Sequence, residues 1–265
     1  MSQDGVEERA GAGRRARRLI VAVGLVAAAG VTVAVVAGTQ LSRLSPLWWR
    51  PLDPSDQRVV TRALVQENQA ISTLHRVRPG SWTDLGDRTV WLSEPWFHEI
   101  DDESATAWLS GRLPGWLAAE FGLDEWPEEL SEVQVDFADG AIRVGARLGG
   151  RERGRVLSAT LRPRVDDDGS LWLDAAGVAV GRLPLPTWWV IGEAKAGAAE
   201  RLPDLDGLPD AGVVADALMG REPVMDSAVL RLADGRRVRL LAIRVRNGKL
   251  EVLCQTELRS EVAAR

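Results

Sequence analysis

Residues Leu19 to Gly38 form a run of twenty positions without a charged side chain, and Thr32 is the one clearly polar residue among them. An α-helix rises about 1.5 Å per residue, so the run reaches roughly 30 Å, the thickness of a bilayer's hydrocarbon core. Lipid offers the backbone no hydrogen-bond partners, so such a span has to be helical. Gly24 and Gly30 lack the four-residue spacing that brings two membrane helices together, and no helix pair is predicted from them. Arg14, Arg15, Arg17 and Arg18 stand just before the run, with only Arg43 and Arg50 soon after it. Basic residues stay on the cytoplasmic side, which predicts a cytoplasmic N-terminus and an extracytoplasmic (periplasmic) chain from about residue 40. A cleaved signal peptide is the rival reading. The apolar run is longer than the usual signal core and no clear A-x-A site follows it. Either reading exports the rest of the chain.

The remainder has the make-up of a folded domain. Hydrophobic residues are 45% of the chain and charged residues 27%, too apolar for a disordered segment. A net charge of -5 argues against nucleic acid as a partner, because phosphate binding favours a basic face. The one cysteine, Cys254, can form neither an internal disulfide nor a cysteine metal site. It follows Leu250, Val252 and Leu253 and reads as a small core residue. The expected organisation is a basic tail (1–18), a transmembrane helix (19–38), a juxtamembrane linker with a stalk helix (39–80) and an outer domain (81–265). Trp48 and Trp49, adjacent and beside Arg50, suit a membrane interface; the alternative is that they pack on the outer domain.

Periodicity divides the outer part further. Asp53 to Val77 predicts a helix, with Asp53, Ser55 or Asp56 as its cap. Trp82 to Trp96 reads as one or two short strands, and a second helix starts near Asp101 and Asp102, whose carboxylates suit its positive end. Pro114 restarts that helix towards Gly122. From Glu132 the period becomes two, and Asp139-Gly140 is a hairpin turn. Strands follow over Val156–Val165 and Ser170–Val180, with a bend or bulge at Gly177. Thr187 caps a helix carrying Trp188, Trp189 and Ile191. A short helix runs from about Ala211 to Met219, and three strands close the chain with turns at Asp234-Gly235 and Asn247-Gly248. Meanders with segregated helices make the fold α+β, an antiparallel curved sheet packed with several helices. Whether the two meanders make one sheet or two layers is left open by the pattern.

The stretch from Asp101 to Pro186 has a distinctive order. A Trp-containing helix leads to Phe137-Ala138-Asp139-Gly140, then to Leu157-Ser158-Ala159-Thr160-Leu161-Arg162-Pro163, and ends in Gly181-Arg182-Leu183-Pro184-Leu185-Pro186. It resembles the YpmS-type and LmeA-type groups of envelope proteins, mostly anchored by one N-terminal helix and similar in outline to half of a tubular lipid-binding module. The resemblance covers about a third of the chain and its motifs are mainly turns. It implies a curved sheet wrapped on a long helix around an apolar groove that takes an acyl chain, and it supplies no catalytic residue.

Catalytic chemistry has little to stand on. His75 and His98 are the only histidines, and no P-loop, GxGxxG, HExxH or GxSxG motif occurs. The acidic run from His98 to Glu103 reads as a cap and solvated turn. Asp166 to Gly169 reads as a hairpin turn, since its acids are adjacent rather than alternate. No enzyme activity, cofactor or metal is expected. The expected ligand surface is aromatic: Trp108, Trp116, Trp188 and Trp189, with Leu183 and Leu185 as an apolar lip, lining a groove or meeting the membrane; core packing is the competing role. Two functions follow, an anchored non-catalytic domain that binds a lipid or other apolar ligand in envelope maintenance, or an interaction and assembly subunit of an envelope complex. Protease added outside intact spheroplasts is expected to remove the domain after residue 40 while a cytoplasmic control survives; survival of both would refute the topology.

Overall fold

A computed structural model describes residues 38–50, 52–53, 55–84, 86, 89–121, 130–149, 154–193 and 211–259. The arginines at 14–18, nearly all of the uncharged run and the connector at 203–210 lie outside these residues. No helix among the described residues is long and apolar enough to cross a membrane.

The architecture is α+β. In chain order the elements are α1 (38–43), α2 (Gln57–His75), β1 (Gly80–Asp84), β2 (Thr89–Ser93), β3 (Trp96–Asp101), α3 (Asp102–Gly111), α4 (Leu113–Phe121), β4 (Leu130–Ala138), β5 (Ala141–Leu148), β6 (Val156–Val165), β7 (Leu171–Val180), β8 (Leu183–Leu185), α5 (187–193), α6 (Ala211–Leu218), β9 (Val229–Arg231), β10 (Arg237–Arg246) and β11 (Lys249–Arg259). The meanders form two sheets. Strands β4 to β8 make a five-stranded antiparallel sheet in sequence order, and β1, β2, β11, β10 and β9 make a second sheet that β3 joins through β11.

Local chemistry accounts for most boundaries. Asp56 caps α2 by accepting from the Arg58 amide, and Asp101 caps α3 by accepting from the Ser104 amide at 2.7 Å. Asp139 and Gly140 both take positive φ, 56° and 74°, as do Asn247 and Gly248 at 46° and 79°, which matches the twist of a tight hairpin. The register of β6 on β7 slips between Thr160 and Leu161, opposite Gly177 and Ala175, so Ala176 is the bulged residue beside the glycine. Pro163 sits in β6 beyond the last pair with β5, at Leu161, and is therefore free of the need to donate to that neighbour. Pro184 likewise falls in the edge strand β8.

The second sheet depends on a pairing far apart in sequence. One edge of β11 pairs first with β3, Lys249 to Cys254 against Asp101 to Trp96, and then with β2, Glu257 to Arg259 against Leu92 to Val90. His98 to Asp101 are therefore strand residues, because β11 supplies their ladder, and Asp101 ends the strand and caps α3 at once. The α2 helix packs on this domain. It lies against α3, with Ala63 fully buried 3.9 Å from where a Cβ on Gly111 would sit, and Arg112 holds Glu67 at 2.8 Å.

One seam joins helix and sheets. Strand β4 is the edge of its sheet, so alternate backbone groups turn away from β5. Ser110 donates its hydroxyl to the Val133 carbonyl at 2.6 Å. The Thr106 hydroxyl accepts from the Val135 amide at 3.0 Å and donates to the Val135 carbonyl at 3.1 Å. Gly248, in the turn between β10 and β11, donates to the Phe137 carbonyl at 2.7 Å. Beneath this seam Val135, Phe137 and Val245 form a buried cluster, flanked by Ile100, Leu109 and Ile243. A second tie runs through Ala228, which donates to Gly169 at 2.9 Å and accepts from the Leu240 amide at 2.8 Å. Cys254 is buried with Trp96 and Val238, and burial pushes its thiol up to about 11. Thr106→Val keeps the shape but strands a buried amide and a buried carbonyl; it is expected to cost about 1–3 kcal/mol in denaturant unfolding, and an unchanged midpoint would refute the seam.

Candidate functional site

The linker that follows α1 does not hang free. It lies across the five-stranded sheet and is held at three places. At Gly181 (φ +61°), between β7 and β8, an added Cβ would fall 2.5–2.7 Å from the carbonyl oxygens of Leu41, Ser42 and Leu44. Only glycine fits that approach. The next residue, Arg182, donates its amide to the Leu41 carbonyl at 2.9 Å and its Nε to the Ser45 carbonyl at 3.0 Å. At Gly145 of β5 a Cβ would meet the rings of Trp48 and Trp49 at 2.9 and 3.0 Å. At Gln134 of β4, itself 3% exposed, the side-chain amide donates to the Arg50 carbonyl at 2.5 Å and accepts from the Arg50 amide at 3.2 Å.

This clamp decides the place of the adjacent tryptophans. Trp49 is 7% exposed, with the Arg147 guanidinium 5.6 Å from its ring centre. Trp48 is half-buried, its ring centre 5.8 Å from that of Trp49. The packing alternative thus describes Trp49, and the missing side chain at Gly145 is the reason the ring fits.

The clamped linker forms one wall of a cavity of about 300 Å³, with α2, α3 and β4 as the others. Its apolar surface comes from Trp48, Leu52, Val59, Ala107 and Val135, and its charged lining has three arginines, Arg50, Arg58 and Arg62, and three acids, Asp102, Glu103 and Asp136. Glu103 is held by Arg62 and stands 3.5 Å from Arg50. Among the described residues no ion pair engages Arg58. Burial pushes the Asp102 carboxyl above its ordinary value, against the pull of Arg50. The fold therefore favours the neutral acid, a contribution present at low pH and lost as pH rises. The cavity is small for a ligand site, and it combines an apolar wall with charged groups of both signs, the amphipathic lining such sites share.

A second cavity, of about 400 Å³, opens between α2 and β3. Trp96 is part of its lining, with the Arg78 guanidinium 3.7 Å from the ring centre. His98 lines it, and burial lowers its pKa, so the imidazole is neutral at physiological pH. Among the described residues no group of His, Cys, Asp or Glu could hold a metal.

The aromatic residues singled out from sequence occupy two separate places. Trp108 and Trp116 pair across α3 and α4 with ring centres 6.3 Å apart. Arg112 and then Trp108 bond Glu67 and hold its carboxyl below the usual range. Leu183 and Leu185 lie half-buried on β8, followed on α5 by Trp188 and Trp189, which are 67% and 47% exposed. None of these six lines either cavity. Arg58 and Arg62 were the overlooked lining; their four-residue spacing on a helix was the signal that both share a face. Nothing in the sequence marked Gln134.

No protein-family model, curated protein or solved structure matches this chain. Gly181→Ala introduces a left-handed non-glycine residue and a backbone clash, and is expected to cost roughly 2 kcal/mol or more. Thermal unfolding of the full chain in detergent checks this, together with faster proteolysis within 38–50; an unmoved transition and an intact linker would refute the clamp.

Proposed function

We propose that this chain is a single-pass membrane protein of the cell envelope, with a cytoplasmic N-terminus and a non-catalytic extracytoplasmic domain that binds a lipid or other apolar ligand. The anchor rests on the uncharged run and the arginines before it, and the envelope role on the resemblance to YpmS-type and LmeA-type proteins. The observation that carries the binding function is the cavity beside the linker. Its lining begins at Trp48, ten residues past the end of the uncharged run, and joins apolar surface to three arginines and three acidic residues. An apolar wall suits a hydrocarbon chain, and guanidinium groups suit an anionic headgroup. The ligand sits between linker and domain in this reading, not between the sheets, where Val135, Phe137 and Val245 fill the core.

A second reading, a partner-binding subunit of an envelope complex, is favoured by the other side of α2. Val65 and Phe97 line the second cavity while 58% and 61% exposed, an arrangement typical of a contact surface.

Native mass spectrometry of the full chain released from membranes separates the two. A lipid adduct that Arg58→Glu removes is expected on the first reading. A bare mass, or an adduct indifferent to Arg58→Glu, would overturn it, and cross-links from β3 to another protein would favour the second.

A further inference from the structure

We propose that the α1–linker and β8–α5 surface docks onto the same membrane leaflet from which the chain emerges, so that the domain lies on the bilayer instead of standing away from it. This rests on the anchored reading above. Gly38 ends the uncharged run, and a Cβ built there would lie 3.9 Å from Leu183 at the start of β8. Whatever leaves the membrane at residue 38 therefore brings β8 with it. Trp188 follows Leu183 by five residues, which is at most about 18 Å of extended chain.

What projects from these two segments is apolar and aromatic. Leu41, Leu44 and Leu47 are 37%, 47% and 86% exposed, and Trp188 and Trp189 are 67% and 47% exposed. Half of a buried core's worth of side chain in water is costly, and the interface between headgroups and acyl chains is where indole rings are best placed. Charge agrees with that occupant. Arg43, Arg50 and Arg182 are exposed on the same segments, and Glu193 is the one acidic residue within 38–50 and 181–193. Arginine stems cover apolar surface while their heads reach phosphate. The clamp at Gly181 and Gly145 makes the surface rigid, since the linker cannot lift without breaking it. The tryptophan pair at 188–189 thus takes the interfacial place that the sequence offers at 48–49.

Spin labels in the full chain, reconstituted in vesicles of zwitterionic and anionic phospholipid, test this. The background is Cys254→Ala, which removes the one native thiol. Gly192→Cys places a label one helical turn after Trp188, where an added Cβ meets nothing within 4 Å. Leu258→Cys on β11 is the control on the other sheet, and Val26→Cys reports on the uncharged run. Docking predicts that the label at 192 gains oxygen access and loses access to a water-soluble relaxant relative to 258. It also predicts that Trp188→Ser with Trp189→Ser reverses the shift. A label at 192 as wet as that at 258, while 26 reads as membrane core, overturns the docking and leaves the anchor standing. A wet label at 26 overturns the anchor itself, and docking with it. Protection of 192 from both agents means that a second copy covers the face, which also overturns the proposal.

Discussion

The outward edge of β4 is the constraint on which the rest of the domain depends. An edge strand leaves every second amide and carbonyl without a ladder partner, and burying them unpaired costs more than most packing gains. Here those groups are closed by two hydroxyls of α3 and by the backbone amide of Gly248. That closure fixes α3 against the five-stranded sheet and brings the β10–β11 turn of the other sheet to the same line. The buried cluster of Val135, Phe137 and Val245 lies under it. Positioning α2 is then simple packing, Ala63 against Gly111, helped by the Glu67–Arg112 pair.

Once α2, α3 and β4 are fixed, the linker completes the cavity. Its own position comes from two glycines with no room for a side chain and one buried amide that binds the backbone of Arg50 in both directions. Backbone contacts of this kind read position rather than residue type. The charged lining is more loosely held. Arg50, Arg62 and Glu103 share an exposed ion-pair group, which contributes little to stability and leaves the arginines available to an anion. The wall is thus rigid and the charged rim adaptable, a combination suited to holding one end of an amphipathic molecule.

Membrane docking and ligand binding in the cavity rely on the same clamp in different ways. The first needs the clamp to carry β8 and α5 to the point where the chain leaves the bilayer, and the second needs it to roof a space beside α3. Neither needs a reactive group. Burial raises the thiol of Cys254 and holds His98 neutral, both consistent with structural surroundings.

Local chemistry was legible in the sequence because it acts over a few residues. The caps at Asp56 and Asp101, the hairpins at Asp139-Gly140 and Asn247-Gly248, the bulge beside Gly177 and the core place of Cys254 all follow from side chains and their immediate neighbours. The reading of the twenty uncharged residues and the arginines before them as an anchor rests on composition along the run, and all of them but Gly38 lie outside the described residues. The tertiary structure alone decided what is long-range. It brought β3 to β11 across some 150 residues and split the meanders into two sheets. It laid α2 on α3, and it buried Trp49 while leaving Trp188 in the open. Two tryptophan pairs identical in sequence thus met opposite fates, because a ring is buried only where another segment has left it space, and Gly145 left that space for one pair alone.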